Sequence, residues 1–369
     1  STRGWCEKKL CKRRFTPAGF RFEYPPFSTG FDGRERESRD VCFRPESTVG
    51  SRRSVVWVGV MPSRDVVAVG SAVIDHLYTL SNLPEPDGGA FVRDHTTDVG
   101  GVAANVAAGL AELGDETGVI SRVGADTAAE ITDDLQARGI DCSRIRSGSE
   151  ESSYTLVLRG QGGERMIIAG GQSVPNLRLN DHDITYASDA EVVFTSAYAP
   201  DAAVSKLVNA RERGNISTLV FDLAGPLSEL EGRGTAPSTI DRVLSAVDLF
   251  VVGEVAARSY FGGGVEDAVT ALARRAVPRA AVTQGENGAC LIDGDAVTEV
   301  PAFDVNTEDT TGAGDVFTAG LIHTWLLDTD SMREAGRFAA AAAALSCTAD
   351  HARGRLPTDA DVREFLANH

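Results

Sequence analysis

Lysine is nearly missing from this chain of 369 residues: Lys8, Lys9, Lys12 and Lys206 are the whole complement, and arginine carries the remaining basic charge. Residues 1–60 hold 13 basic and 7 acidic side chains, which leaves 23 basic and 46 acidic to residues 61–369, a net charge of −23. So acidic a body repels nucleic acid and anionic membrane surfaces and argues against both as partners. It suits concentrated salt, where self-repulsion is screened over short distances, and the expectation is a cytoplasmic protein of a salt-loving organism. Long apolar runs are lacking as well. No stretch reaches the length of a membrane-spanning helix, and the Ala-rich residues 338–345 read as a buried helix.

Cysteine is sparse and shows no metal-ligand spacing. Cys6, Cys11 and Cys42 fall in the leading segment, while Cys142, Cys290 and Cys347 are scattered singly through the body, as expected of packing residues in a reducing compartment. The glycine fingerprint of dinucleotide-binding enzymes is absent too: after the first strand-like run the chain reads Gly70-Ser71-Ala72, so a dinucleotide oxidoreductase fits poorly. Methionine is first met at Met61. The basic segment before it has no sustained periodicity and no signal-peptide apolar stretch, and is broken by Pro25-Pro26. Residues 1–60 are therefore expected to be a disordered extension or a mis-assigned start, with translation beginning at Met61.

From Met61 onward, strand-like and helical patterns alternate. Short β-branched runs at 66–69, 118–123, 191–195, 218–222, 248–252 and 280–283 are separated by helical stretches at 102–113, 127–138, 202–213 and 265–276. That alternation predicts an α/β domain over 61–369 with a mostly parallel sheet covered by helices. Residues 76–80 and 90–98, with 154–158 and 166–169 around the turn Gly160-Gln161-Gly162-Gly163, read instead as antiparallel strands and a hairpin.

Two motifs carry chemistry. In the first, Asp309-Thr310-Thr311-Gly312-Ala313-Gly314-Asp315 runs into the apolar Val316-Phe317-Thr318-Ala319-Gly320-Leu321-Ile322, a glycine-broken turn opening a helix with a carboxylate in its first turn. Free N–H groups at a helix start favour phosphate, and small residues let a phosphate oxygen approach the main chain. Beside such an anion, Asp315 can take the proton of an attacking hydroxyl. An acidic residue at a helix start is also common for purely structural reasons. In the second motif, Gly100-Gly101-Val102-Ala103-Ala104-Asn105-Val106-Ala107 opens a small-residue helix, with Asn105 able both to donate and to accept toward hydroxyls. Tight packing alone also yields such a helix start.

Together and in this order, the two motifs resemble the two signatures of the ribokinase-like (PfkB) carbohydrate kinases, a likeness that extends from about Asp65 to the C-terminus. The resemblance implies a three-layer sandwich with a small antiparallel β lid over the sugar, its strands near 76–99 and 151–171. It implies an anion hole at Gly312, Ala313 and Gly314, Asp315 as catalytic base, and sugar contacts from Asp75, Gly100, Gly101 and Asn105. Thr283, Gly285 and Gly288, within Val282-Thr283-Gln284-Gly285-Glu286-Asn287-Gly288, match the nucleotide loop. Asp309 and Thr311 match the holders of a monovalent cation, K+. ATP and magnesium are the implied cofactors, and exposed lid edges imply a homodimer through the lid.

One departure stands out. After 248–252 the family has Asn-x-x-Glu, implicated in magnesium and phosphate handling, whereas this chain reads Gly253-Glu254-Val255-Ala256. Glu254 is left to act through water, since magnesium needs few direct protein ligands. The function expected is ATP-dependent phosphorylation of a hydroxyl of a sugar or sugar-like acceptor such as ribose, fructose or 2-keto-3-deoxygluconate. The alternatives are a nucleoside kinase of the same family and a non-catalytic sugar- or nucleotide-binding protein on the kinase fold. Arg165, in the predicted hairpin, would favour an acid sugar or phosphosugar if it met the acceptor.

Overall fold

Alternation within each β-branched run decides the architecture. In Val66-Val67-Ala68-Val69 the odd and even side chains point to opposite faces of the sheet, and all four are fully buried, so both faces must be covered. The computed structural model describes residues 64–162, 164–349 and 351–369; the expected extension over 1–60 and the Met61 start lie outside them. In chain order the elements begin β1 (Arg64–Val69), β2 (Val73–Leu80), β3 (Val92–Gly100), α1 (Val102–Leu113), β4 (Thr117–Gly124), α2 (Ala128–Ala137), β5 (Asp141–Gly148), β6 (Tyr154–Arg159) and β7 (Arg165–Gly170). They continue α3 (Asp181–Ser188), β8 (Ala190–Ser196), α4 (Asp201–Glu212), β9 (Thr218–Asp222), α5 (Leu227–Leu230), α6 (Pro237–Val243), β10 (Leu249–Gly253), α7 (Glu254–Ala257) and α8 (Val265–Arg274). The chain ends with β11 (Arg279–Thr283), β12 (Ala289–Asp293), β13 (Ala296–Val300), α9 (Ala313–Leu321), α10 (Met332–Ser346) and α11 (Asp359–Ala367).

The large sheet has the order β13-β12-β11-β10-β9-β8-β1-β4-β5 and is parallel except where β12 and β13 add antiparallel pairs at one edge. Val67, Val69, Phe221 and Phe250 face a core shared with α3, α4, α6 and α8. Val66, Ala68, Phe194 and Val220 face the opposite core, built with α1, α2, α9 and α10. This is the three-layer sandwich that the resemblance implies. The sequence reading omits β5, β12 and β13: β5 is polar, Asp141-Cys142-Ser143-Arg144-Ile145-Arg146-Ser147-Gly148, and sits at the sheet edge with no apolar alternation to mark it.

A second sheet has the order β3-β2-β6-β7. Two antiparallel hairpins, β2–β3 and β6–β7, are joined side by side through a parallel β2–β6 pair in which Asp75 lies opposite Thr155. Asp75 thus belongs to β2 of this small sheet. The edge strands carry exposed apolar side chains, Val92 on β3 and Met166, Ile167 and Ile168 on β7, with Phe91 just before β3.

Candidate active site

Small residues bring the two motifs together. A Cβ added to Gly109 of α1 would stand 3.1 Å from the Ala319 Cβ of α9, and one added to Gly320 would stand 2.8 Å from the Ala339 Cα of α10, so the three helices pack almost backbone to backbone. This close packing sets the start of α1 beside the start of α9. Asn105 and Asp315, 210 positions apart, then meet: Asn105 Nδ2 donates to Asp315 Oδ2 at 2.8 Å. Asn105 is 6% exposed, and its Oδ1 has no donor among the described residues. An acceptor so left costs about 1–3 kcal/mol unless a ligand hydroxyl satisfies it.

Gly312 is the N-cap of α9, with φ 77°, a left-handed conformation at which a side chain is strained; a Cβ there would also lie 2.6 Å from the Ala352 carbonyl oxygen. The main chain next turns into α9. Ala313 N–H donates to Thr310 O over 3.3 Å, whereas the N–H groups of Gly314 and Asp315 have no acceptor among the described residues. A Cβ on Gly314 would meet nothing within 4 Å, so this turn opens onto free space. Two unpaired donors at a helix start, reinforced by the helix dipole, make an anion site. Asp315 lies in the same turn, half-buried. Burial pushes its carboxyl up to about 7 against the lowering effect of Asn105, and the charges of Asp222 and Asp75 add to the rise.

The neighbouring wall holds Asp75, 9% exposed. Burial raises its carboxyl to about 6, opposed first by the Thr155 hydroxyl and then by the charge of Arg353. A Cβ on Gly100 would fall 1.9 Å from Asp75 Oδ2, so that glycine is required by the carboxylate lying over it. Gly101, at φ 96°, caps α1 and accepts from Asn105 N–H at 2.8 Å. Gly100, Gly101, Asn105, Asp75 and Asp315 thus form one cluster at the C-terminal ends of the central strands, where open α/β sheets take ligands.

Thr283 and Gly285 line a cavity of about 540 Å3 together with Ala224, Gly225, Gly253, Glu254 and Val255. Gly288 is not part of that lining. Its φ of 88° and a Cβ position 2.1 Å from the Val300 carbonyl oxygen explain the glycine by the tight β11–β12 turn and its contact with β13. Gly253 and Ala256, the positions of the missing motif, offer no side-chain ligand, and Glu254 is paired with Arg258 at 2.6 Å. Among the described residues no group of three or more His, Cys, Asp or Glu could hold a metal ion. Such a donor set fits magnesium carried on nucleotide phosphates and waters, which asks little of the protein.

Asp309 and Thr311 stand at the head of the anion-hole turn. Asp309 Oδ1 accepts from the N–H and the hydroxyl of Thr311 at 2.9 and 2.7 Å; Oδ2 accepts from His351 N–H at 3.0 Å and from the guanidinium of Arg159. Arg165 Nη1 donates to Thr311 Oγ1 at 2.8 Å. Both arginines come from the β6–β7 hairpin of the small sheet.

Three contributors escape sequence reasoning. Asp222 closes β9, 6% exposed, its carboxyl raised to about 7 by burial and opposed by the Ala224 N–H. A carboxylate ending the β-branched run Thr218-Leu219-Val220-Phe221-Asp222 was the signal available. Arg353 is buried, donates to Asp134 at 2.7 Å and to the Val99 carbonyl, and lends positive charge to the Asp75 wall; it stands in an irregular loop where no pattern marks it. Arg159 ends a lid strand, and no spacing links it to Asp309.

Comparison with known proteins bears on the family and the fold. The model for the pfkB family of carbohydrate kinases matches residues 63–359. The chain is 31% identical over 313 residues to an ATP-dependent ribose-1-phosphate kinase of Halopiger xanaduensis, covering 82% of this chain and 98% of that protein. A ribokinase of Haemophilus influenzae is 24% identical over 315 residues, with 82% and 98% covered. Among solved structures, Arabidopsis thaliana ribokinase complexed with ribose and ATP superposes with a TM-score of 0.71 at 24% identity, covering 82% of this chain and 98% of the other. A Burkholderia thailandensis nucleoside kinase in complex with inosine also superposes at 0.71, with 20% identity and coverage of 82% and 96%. These structural likenesses establish the fold; the family model matched over most of the chain and the 31% identical relative show that the chain belongs to the pfkB family of carbohydrate kinases.

Proposed function

We propose that the chain transfers the γ-phosphoryl group of ATP to a primary hydroxyl of a ribose-type sugar or sugar phosphate, with Asp315 as general base. The observation that carries this reading is the junction of Asn105 with Asp315 beside the unpaired N–H groups of Gly314 and Asp315. A hydroxyl seated against Asn105 and Asp75 passes its proton to Asp315 as its oxygen bonds to the γ-phosphorus. The bond from that phosphorus to the bridging oxygen breaks, ADP leaves, and the N–H groups stabilise charge on the transferred group. A carboxyl raised to about 7 is well matched to this task near neutral pH. Thr283 and Gly285 line the cavity proposed for the nucleotide, and magnesium on its phosphates would meet the carboxylates of Asp222 and Glu254; when bound, it neutralises phosphate charge.

The ribose-1-phosphate kinase relative favours a pentose phosphate as acceptor. The absent Asn-x-x-Glu favours a rival, a binding protein on the kinase fold. ADP release across pentoses, hexoses, 2-keto-3-deoxygluconate, phosphosugars and nucleosides, measured in molar potassium chloride to screen the acidic body, separates the two. Turnover with ribose-1-phosphate supports the proposal; inertness across the panel overturns it. The acidic, lysine-poor surface supports work in a salt-rich cytoplasm, and the exposed apolar residues on both lid edges support pairing of two copies through the lid.

A further inference from the structure

Asp309 opens the anion-hole turn and is almost closed off, with its side chain 4% exposed. A carboxylate in such a place needs a positive partner, and in this chain the lid delivers two. Arg159 and Arg165 are directly opposed in the β6–β7 register, so both guanidinium groups leave the hairpin at the same level. Arg159 takes Asp309 Oδ2; Arg165 reaches Thr311 Oγ1 at 2.8 Å and stands 3.9 Å from Asp309 Oδ1. Thr311 completes the chain by donating hydrogen bonds from its hydroxyl and its N–H to Asp309 Oδ1. Every carboxylate oxygen that would face a bare cation is engaged, and Thr311, the other residue matched to a cation site, is held by an arginine as well. These residues do not fit a monovalent ion in the arrangement they adopt.

We propose that Arg159 and Arg165 supply from the lid the positive charge that a monovalent cation would otherwise bring to Asp309 and Thr311, so that lid closure fixes the anion-hole turn and no potassium ion is required. The two arginines act as positioning residues. They touch the head of the turn, three to six residues before Gly314 and Asp315, rather than the reacting atoms. A further consequence is order: an open lid withdraws the charge that steadies the turn, and closure restores it with the acceptor enclosed.

The inference rests on the kinase reading only for its activity arm, because thermal unfolding tests it separately. Full-length protein is compared in potassium chloride and in tetramethylammonium chloride at equal ionic strength, which matches screening while removing the ion that a carboxylate site can bind. Wild type should unfold at the same temperature in both salts and, with the best acceptor, turn over within about twofold. Arg159→Gln should unfold earlier in tetramethylammonium and regain several degrees in potassium, as expected when an ion binds only the folded state, with turnover recovering about tenfold or more. Arg159→Lys, which keeps a charge on the hairpin, should retain the indifference of the wild type. A wild-type melting temperature or rate that rises specifically with potassium overturns the inference, as does an Arg159→Gln variant that potassium leaves unimproved. An enzyme inert with every acceptor sinks the kinase reading alone, since the unfolding temperatures still decide the cation question.

Discussion

Single residues in this site are constrained by one another more than by their own chemistry. Gly100 has no left-handed backbone to justify it; what forbids a side chain there is the Asp75 carboxylate, 1.9 Å from where a Cβ would sit. Asp75 is itself held between Thr155 on the neighbouring lid strand and the charge of Arg353. Gly100→Ala should therefore act as an Asp75 mutation. Acceptor affinity, measured by calorimetry, should fall on the order of 10–100-fold, equivalent to about 1.4–2.8 kcal/mol, while nucleotide affinity stays near that of the wild type. Unchanged acceptor affinity in the Ala variant would remove both residues from the acceptor wall. Both residues were visible in the sequence, the glycine pair as a pattern before a helix and Asp75 through the resemblance to the family. That one exists to make room for the other was not, since it depends on a contact between β2 and the end of β3.

At the level of elements, the helix that carries Asp315 is anchored at both ends. Its start is fixed by the left-handed Gly312, and its continuation, a π-helical turn over Ile322–Leu327, holds His323. His323 Nδ1 lies 3.0 Å from both Asp115 oxygens, just past α1, and Nε2 lies 3.4 Å from Asp359 at the start of α11 and 3.8 Å from Asp328. Burial alone would depress this imidazole, yet the Asp115 hydrogen bond and the surrounding carboxylates leave it raised above 6.5. A raised folded value means stability that is fully present below the unfolded value and lost as pH climbs through the folded one. His323→Gln should accordingly cost about 1.5–3 kcal/mol near pH 6, the worth of hydrogen bonds to a charged group, and distinctly less near pH 9. Equal losses in denaturant titrations at the two pH values would show that the ring acts as a neutral packing residue. Helix α11 was missed, while α1 and the start of α9 were readable in the sequence. The clamp was not, because its carboxylates come from three separate segments that only packing brings together.

For the whole molecule, the alternation of β and α segments and the two helix starts rich in small residues are patterns visible in the chain, whereas the three-layer order came only with the resemblance to the family, and the meeting of the two motifs depends on the close packing of α1 against α9. The lid was legible as hairpins, though not its side-by-side β2–β6 pairing or the reach of its arginines to Asp309, for long side chains leave no periodic trace. Gly288 was legible as a glycine; the space around it is set by the Val300 carbonyl of β13, which no sequence pattern shows. The account as a whole rests on Asp315 as the group that takes the acceptor proton. Asp315→Asn keeps the oxygen that accepts from Asn105 and the capping ability of the side chain but removes the base. Single-turnover kinetics with ATP and the best acceptor, alongside calorimetry for both ligands, should show affinities close to wild type and a rate lower by roughly 10²–10⁴-fold; near-normal turnover with unchanged affinities would contradict the account.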